Sequence, residues 1–514
     1  MDQLISLRDV LFANPRIVPE RRAILCDSRW MTFGELRSRV LAVASALHRE
    51  GIRPGDRVAL LMENCPEFIV CFFAITGMGA IVVPLNWRLH PSEHVTLLQD
   101  AQAKVMVASS TFLTSIERVK SQVSSVIRVV LVEGESCNRD SFSQWATPAQ
   151  TMPEAVALSS ATVAAIVYTS GTTSRPKGVV LTHGNYLADI HNVASVSRAN
   201  SNSTNLQLSP LYHAACIHSL MHLAVGGSTI LNRRYDVGET LGLIERERVT
   251  YFFSVPTALY QMMDHPDFKR VNRSSLRTLS YGAASVTTSR LQEAMASFGP
   301  ILIHAYGLTE TTSHASVLTA EDHAIAFGSI GRGVGLSALK VVNEAGHPCT
   351  PGEVGEIRVS GPNVTTGYWE RPVETNELFQ DGWLKTGDLA RTDERGFVYV
   401  VDRKKDLVIS GGVNIYSREI EDVVAGHPDV AEVAIVGIPD PHWGEAVVAV
   451  VVLRPGATAD AAAILEHCRH RVGGFKVPKR VEFIAELPKN PSGKVLKTEL
   501  RRLLSTSIRN EGRE

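Results

Sequence analysis

Residues Tyr168 to Gly178, Tyr-Thr-Ser-Gly-Thr-Thr-Ser-Arg-Pro-Lys-Gly, put five Ser/Thr hydroxyls (Thr169, Ser170, Thr172, Thr173, Ser174), two glycines and Lys177 in one short segment. Small residues let backbone N–H groups approach an anion closely, hydroxyls add donors, and a lysine neutralises spread charge. This is the composition of a loop that holds a polyphosphate. It is not the P-loop of nucleotide hydrolases, because Pro176 stands where the second glycine of G-x-x-x-x-G-K-[ST] belongs. A surface linker rich in Ser, Thr and Gly has the same composition, and the segment alone does not separate the two.

Four further segments follow in order: Tyr306-Gly-Leu-Thr-Glu310, Thr386-Gly-Asp388, Asp402-Arg-Lys-Lys-Asp-Leu-Val-Ile-Ser-Gly-Gly412, and Pro488-Lys-Asn-Pro-Ser-Gly-Lys494. Together with the 168–178 loop they resemble the motifs of the adenylate-forming enzymes, and the wording after Asp402 resembles the acyl-CoA synthetases. The resemblance implies ATP, Mg²⁺ and coenzyme A, with a carboxylic acid as the substrate. Thr169, Ser170, Gly171, Thr172, Thr173 and Lys177 would then hold the β- and γ-phosphates. Tyr306 would lie against adenine, Thr309 would reach the α-phosphate and Glu310 would bind Mg²⁺, with Gly307 between them. Gly282, Ala283 and Ala284, within Tyr281-Gly-Ala-Ala284, would line the adenine with His304 and Ala305. Asp388 would take the ribose hydroxyls, assisted by Arg403. Lys494 would be the catalytic lysine, His213 would stand between acyl pocket and adenylate, and Gly411 and Gly412 would line the thiol tunnel. Ser174 departs from the usual glycine of the phosphate loop; serine still donates to phosphate, so activity is expected.

Joining a carboxylate to the α-phosphate of ATP brings anion against anion. Such a step needs positive charge where the pentavalent transition state forms, and a divalent ion on the leaving pyrophosphate. Relatives that activate amino acids place an acidic residue near 210–219, and none occurs in Pro-Leu-Tyr-His-Ala-Ala-Cys-Ile-His-Ser. An unpaired buried ammonium would be costly. An apolar acid with CoA as acceptor is therefore expected. Loading of an acyl carrier protein's phosphopantetheine is the alternative acceptor reaction, and an oxidative use of the adenylate and a non-catalytic relative are further rivals. His218 and His222 are spaced i, i+4 beside Cys216, but the surrounding segment is apolar and lacks a third ligand cluster, so zinc is not expected.

These residues need a scaffold. Thr32 with Glu35 makes a capping box; Leu36, Val40, Ala44 and Leu47 then keep one apolar face until Gly51. Buried runs near 58–62, 81–83, 105–108, 126–132 and 164–168 alternate with helical stretches, which predicts βαβ units and largely parallel, doubly wound sheets. The phosphate loop leaves the last of these runs, as in sheets that bind nucleotides at strand ends. From 330 to 400 the rhythm shortens to glycine-punctuated strands, suited to a small β-barrel subdomain. A new α+β pattern follows. The expected organisation is a large α/β N-terminal domain, 1–402, and a smaller mobile domain, 403–514. The resemblance implies that the smaller domain rotates about a hinge at Lys405, and large φ/ψ changes usually fall on a few element-terminal residues of this kind.

With 514 residues, 44% hydrophobic and 20% charged, the chain can bury a large core. A net charge of −1 offers no nucleic-acid surface. Seven scattered cysteines without C-x-x-C spacing read as reduced thiols. With neither a signal-peptide pattern nor an apolar run long enough to span a membrane, a cytoplasmic enzyme is expected, either monomer or homodimer.

Overall fold

The computed structural model describes residues 4–132, 141–153, 156–169, 176–284, 286, 288–489 and 495–511, the last few by backbone only. The chain divides into two compact units. The first comprises Met1–Ala283, Ser297–Leu339 and Val359–Lys385; the second comprises Ala284–Ala296, Lys340–Arg358 and Thr386–Glu514.

Two sheets build the first unit. A seven-stranded sheet runs in the order Gly367–Tyr368, Lys177–Thr182, Val163–Thr169, Ile81–Pro84, Arg57–Leu61, Val105–Ser109, Arg128–Val132. Its five strands from Val163–Thr169 onward pair in parallel, and the two nearest the other edge are antiparallel. A nine-stranded sheet holds Tyr251–Ser254, Thr278–Gly282 and Leu302–Tyr306 side by side and parallel. The helix Pro66–Gly77 carries the run Phe-Ile-Val-Cys-Phe-Phe-Ala-Ile-Thr-Gly and is buried at every one of these positions. A helix apolar around its whole circumference has to lie inside a layer rather than on one. It shares a single core with Ile24 and Leu231 of one sheet, Val58 and Val82 of the other, and the helices Phe33–Arg49 and Cys216–Ala224. The expected capping box is present: Glu35 N–H donates to Thr32 Oγ1 at 3.2 Å, and Thr32 N–H donates to Glu35 Oε2 at 2.7 Å.

In the second unit, Trp383–Thr392 pairs antiparallel with Val398–Arg403. A further sheet in the order Val413–Ile415, Val408–Ser410, Gly444–Leu453, Val430–Asp440, with Arg480–Phe483 parallel on the third of these, packs under Ser417–Ala425 and Ala461–Arg469. Among the described residues, no helix is long and apolar enough to cross a membrane.

One core contact makes the fold acid-sensitive. Leu7 N–H donates to His183 Nδ1 at 2.9 Å, so the proton of that ring sits on Nε2. Burial pushes His183 and His222 down to about 4 from an ordinary 6.5. Between pH 6.5 and 4 the unfolded chain therefore binds protons that the folded chain refuses, and stability falls as pH falls through that window. Each histidine accounts for at most about 3 kcal/mol. The urea midpoint is expected to drop steeply from pH 6.5 to 4 and to drop less in His183→Gln. An unchanged slope in that variant would exclude His183 as a source.

Candidate functional site

The polyphosphate-type loop is the connection of a hairpin. Val163–Thr169 and Lys177–Thr182 are antiparallel neighbours, with Thr169 opposite Lys177. Ser170, Gly171, Thr172 and Thr173 lie outside the described residues. The run Val-Val-Leu-Thr after Gly178 forms a strand, since β-branched residues favour the pleated conformation. A helix begins at His183, where Thr182 accepts from Asn185 N–H at 3.1 Å.

The second element is the turn after strand Leu302–Tyr306. Residues Tyr306 to Glu310 are half-buried. A Cβ on Gly307 would stand 1.6 Å from the Ser313 carbonyl oxygen, so only glycine fits. Thr309–Thr311 form one tight turn; Leu308 N–H donates to Thr311 Oγ1 at 3.0 Å, which leaves Thr309 free of a capping duty. The fully buried Asn363 clamps the turn by donating to the carbonyls of Thr311 (3.1 Å) and His314 (2.8 Å). Glu310 Oε1 accepts the Tyr368 hydroxyl at 2.8 Å, and the Lys177 ammonium lies 5.1 Å from the centre of the same tyrosine ring.

Beside this turn lies a narrow pocket whose walls include Phe68, Phe72, Tyr186, Tyr212, His213 and Thr309. His213 and Thr309, expected on either side of the acyl–adenylate junction, thus meet at one cavity. Burial, with a contribution from Arg88, holds His213 down at about 4, so it is neutral at physiological pH. Its Nε2 is buried and has no hydrogen-bond partner among the described residues, which leaves a polar atom available to a ligand.

Gly282 lies opposite Ala305 on adjacent parallel strands. Ala283 is left-handed, with φ 65°, and exposed, as is Ala284. His304 is buried, its ring stacked on Tyr281 at 4.6 Å and its Nδ1 against the Ser329 carbonyl at 2.8 Å. His218 and His222 are core residues. His218 Nδ1 meets the Tyr251 hydroxyl at 2.7 Å, and His222 Nδ1 donates to the His218 carbonyl at 2.8 Å.

In the second unit, Asp388 is buried and paired with Arg403, Nε to Oδ1, at 3.1 Å across the strand pair. Gly411 and Gly412, with φ of 59° and 78°, make the two-residue turn between Val408–Ser410 and Val413–Ile415. Two consecutive positive φ values are what a primed hairpin turn requires. Lys494 lies outside the described residues.

No group of three or more His, Cys, Asp or Glu side chains is placed to cage a metal among the described residues. A single carboxylate, Glu310, beside a phosphate-type loop suits Mg²⁺ instead. That ion keeps its waters and is bound through one or two carboxylates plus substrate phosphates.

Three of these residues were not singled out from the sequence. Tyr368 and Asn363 hold Glu310 and its turn. Asp100 accepts the Tyr168 hydroxyl at 2.6 Å and pairs with Arg371. The only sequence signal is the Gly367-Tyr-Trp369 run, which carries no chemistry by itself.

A lysine, a lone carboxylate and an apolar pocket on neighbouring elements describe an enzyme that sets a phosphorylated nucleotide beside an apolar substrate. The chain belongs to the AMP-binding enzymes: it matches that family over residues 11–369 and the family's C-terminal domain over residues 419–494. It is 38% identical to a feruloyl-CoA synthase of Amycolatopsis over 95% of this chain and 96% of the relative. It is 35% identical to an indoleacetate–CoA ligase of Aromatoleum aromaticum over 98% of each chain. Among solved structures, ATP-bound MatB from Rhodopseudomonas palustris superposes with a TM-score of 0.90 at 31% identity, covering 97% of this chain and 98% of that one.

Proposed function

We propose that this chain is an ATP-dependent, AMP-forming acyl-CoA synthetase for an apolar, ring-bearing acid, a class supported by its similarity to a feruloyl-CoA synthase and an indoleacetate–CoA ligase. The carboxylate attacks the α-phosphorus and pyrophosphate leaves; the thiol of CoA then attacks the carbonyl and AMP leaves. Thr169 and Lys177, at the two ends of the loop, hold the β- and γ-phosphates. Thr309 orients the α-phosphate at the mouth of the pocket, and neutral His213 closes the pocket toward it. Glu310 would hold Mg²⁺, which when bound would supply positive charge for the leaving pyrophosphate. Asp388 and Arg403 take the ribose. Lys494 brings positive charge to the attacking carboxylate, and Gly411 and Gly412 leave room for the pantetheine arm. Residues 403–514 move about Lys405 between the two half-reactions. The observation that carries the substrate class is the pocket at His213 and Thr309, whose lining is aromatic and aliphatic with no acidic residue. An ammonium group there would lack a partner.

A screen of pyrophosphate release tests this. Cinnamate-type and arylacetic acids are expected to give the highest kcat/KM, medium-chain fatty acids less, and amino acids none. Preference for an amino acid, or for acetate over every ring-bearing acid, would refute the assignment of the pocket.

A further inference from the structure

We propose that Tyr368 is the positioning residue of the triphosphate site, fixing the cation-binding carboxylate with its hydroxyl and the phosphate-binding ammonium with its ring. The inference rests on the proposed roles of Glu310 and Lys177, and goes beyond them by naming what sets their separation. Lys177 begins a strand of the seven-stranded sheet and Glu310 lies on the turn after a strand of the nine-stranded one, so nothing local in the sequence holds them in register. The short stretch Thr365 to Arg371 does. Thr365 N–H donates to the Glu310 carbonyl at 2.8 Å, and the Tyr368 hydroxyl donates to Glu310 Oε1 at 2.8 Å. Gly367–Tyr368 pairs antiparallel with Lys177–Thr182, Tyr368 opposite Val179, and Trp369 N–H donates to the Gly178 carbonyl at 2.7 Å. Arg371 pairs with Asp100, which also accepts the Tyr168 hydroxyl at 2.6 Å. The stretch is thus tied to both ends of the loop-bearing hairpin and to the turn that presents Glu310.

The chemistry follows from the two ends of one side chain. A hydroxyl donated to one carboxylate oxygen fixes the carboxylate rotamer and leaves the other oxygen directed at a cation, as an outer partner does for a metal ligand. The ring face attracts the Lys177 ammonium without giving it a carboxylate partner that would compete with phosphate. Among the described residues, no acidic side chain pairs with Lys177.

Two variants of the full chain separate the roles. Tyr368→Phe keeps the ring and loses the hydroxyl; Tyr368→Leu loses both. Mn²⁺ binding in the presence of a nonhydrolysable ATP analogue, followed by electron paramagnetic resonance, reads the cation site directly. Calorimetry of the metal-free analogue reads the ammonium. Tyr368→Phe is expected to weaken Mn²⁺ about tenfold while leaving the metal-free analogue unchanged, and Tyr368→Leu to weaken both. In pyrophosphate exchange, Tyr368→Phe should raise the Mg²⁺ requirement more than it lowers kcat at saturating metal. If Glu310→Gln loses Mn²⁺ but Tyr368→Phe binds it as the wild type does, the positioning role is wrong while the reading of Glu310 stands. If Glu310→Gln also binds Mn²⁺ normally, both fall. Should Tyr368→Leu fail to fold, Tyr368→Phe decides, since it opens no cavity.

Discussion

Lys494→Ala is expected to lose ATP–pyrophosphate exchange by about 10²- to 10³-fold, the scale set by removing one charge-stabilising donor from a transition state. Thiolysis of a supplied acyl-adenylate by CoA should stay near the wild-type rate. The split follows from the chemistry of the two steps. In the first, two anions meet and negative charge accumulates at the pentavalent phosphorus, so an ammonium beside the attacking carboxylate matters most. In the second, the phosphorus is a spectator and AMP departs already formed. The match to the family's C-terminal domain ends at residue 494, so this lysine is the last residue of the matched segment. Equal loss of both half-reactions would show that Lys494 serves folding or domain motion rather than the adenylation transition state.

The neutral state of His213 adds a check on the same chemistry. Its imidazole is held down at about 4 by burial, so kcat/KM for the acid should show no histidine titration near 6.5 assignable to it. A group depressed in this way stays neutral as pH rises through 5 to 8, and it can only begin to charge below about 5. His213→Asn, which keeps a polar atom of similar reach, should then leave the pH profile of kcat/KM unshifted above pH 6 while lowering its height.

How much of this was legible in the sequence depended on the range of each signal. The capping box at Thr32 and Glu35 spans three residues and was read directly. The buried runs that became Arg57–Leu61, Ile81–Pro84 and Val105–Ser109 were equally plain, because parallel strands covered on both faces are continuously apolar. The 168–178 loop stood out by residue type, whereas Glu310 came only with the resemblance to the adenylate-forming enzymes. The antiparallel return at Lys177–Thr182 was not recognisable, since an apolar run as short as Val-Val-Leu fits a strand or the start of a helix. Tyr368, Asn363 and Asp100 were missed for a different reason. Tyr368 is 58 positions from Glu310, and Asn363 is 52 from Thr311. An ordinary tyrosine or asparagine gives no local indication of which distant carboxylate or carbonyl it will meet. The histidines show the converse. The i, i+4 pair His218 and His222 has a ligand-like spacing, but the Nδ1 of one ring turns to Tyr251 and that of the other to the helix backbone.

Gly307→Ala should damage the site more than its single methyl suggests. The added Cβ would lie 1.6 Å from the Ser313 carbonyl oxygen, 2.5 Å from its carbon and 3.0 Å from His314 nitrogen. These are backbone atoms, so no side-chain rotation relieves the clash; either the strand end or the turn through Ser313 has to move by more than an ångström. The turn is also pinned from its other side by Asn363 and by the Thr312 hydroxyl, which donates to the Asn363 carbonyl at 2.7 Å. Overpacking of this kind costs about 1–3 kcal/mol. Thr309 and Glu310 sit on the displaced turn, and a misplacement of about 1 Å in a positioned group costs about 10²-fold in rate. The variant is therefore expected to fold with a lowered melting temperature, to lose affinity for the ATP analogue in the presence of Mn²⁺, and to lose pyrophosphate exchange by about 10²-fold. Gly299→Ala, where a Cβ meets nothing within 4 Å but φ is +75°, controls for backbone strain alone and should cost stability without touching exchange. Wild-type exchange in Gly307→Ala would mean that the turn relaxes freely, and that the close approach of 307 to 313 does not set the position of Glu310.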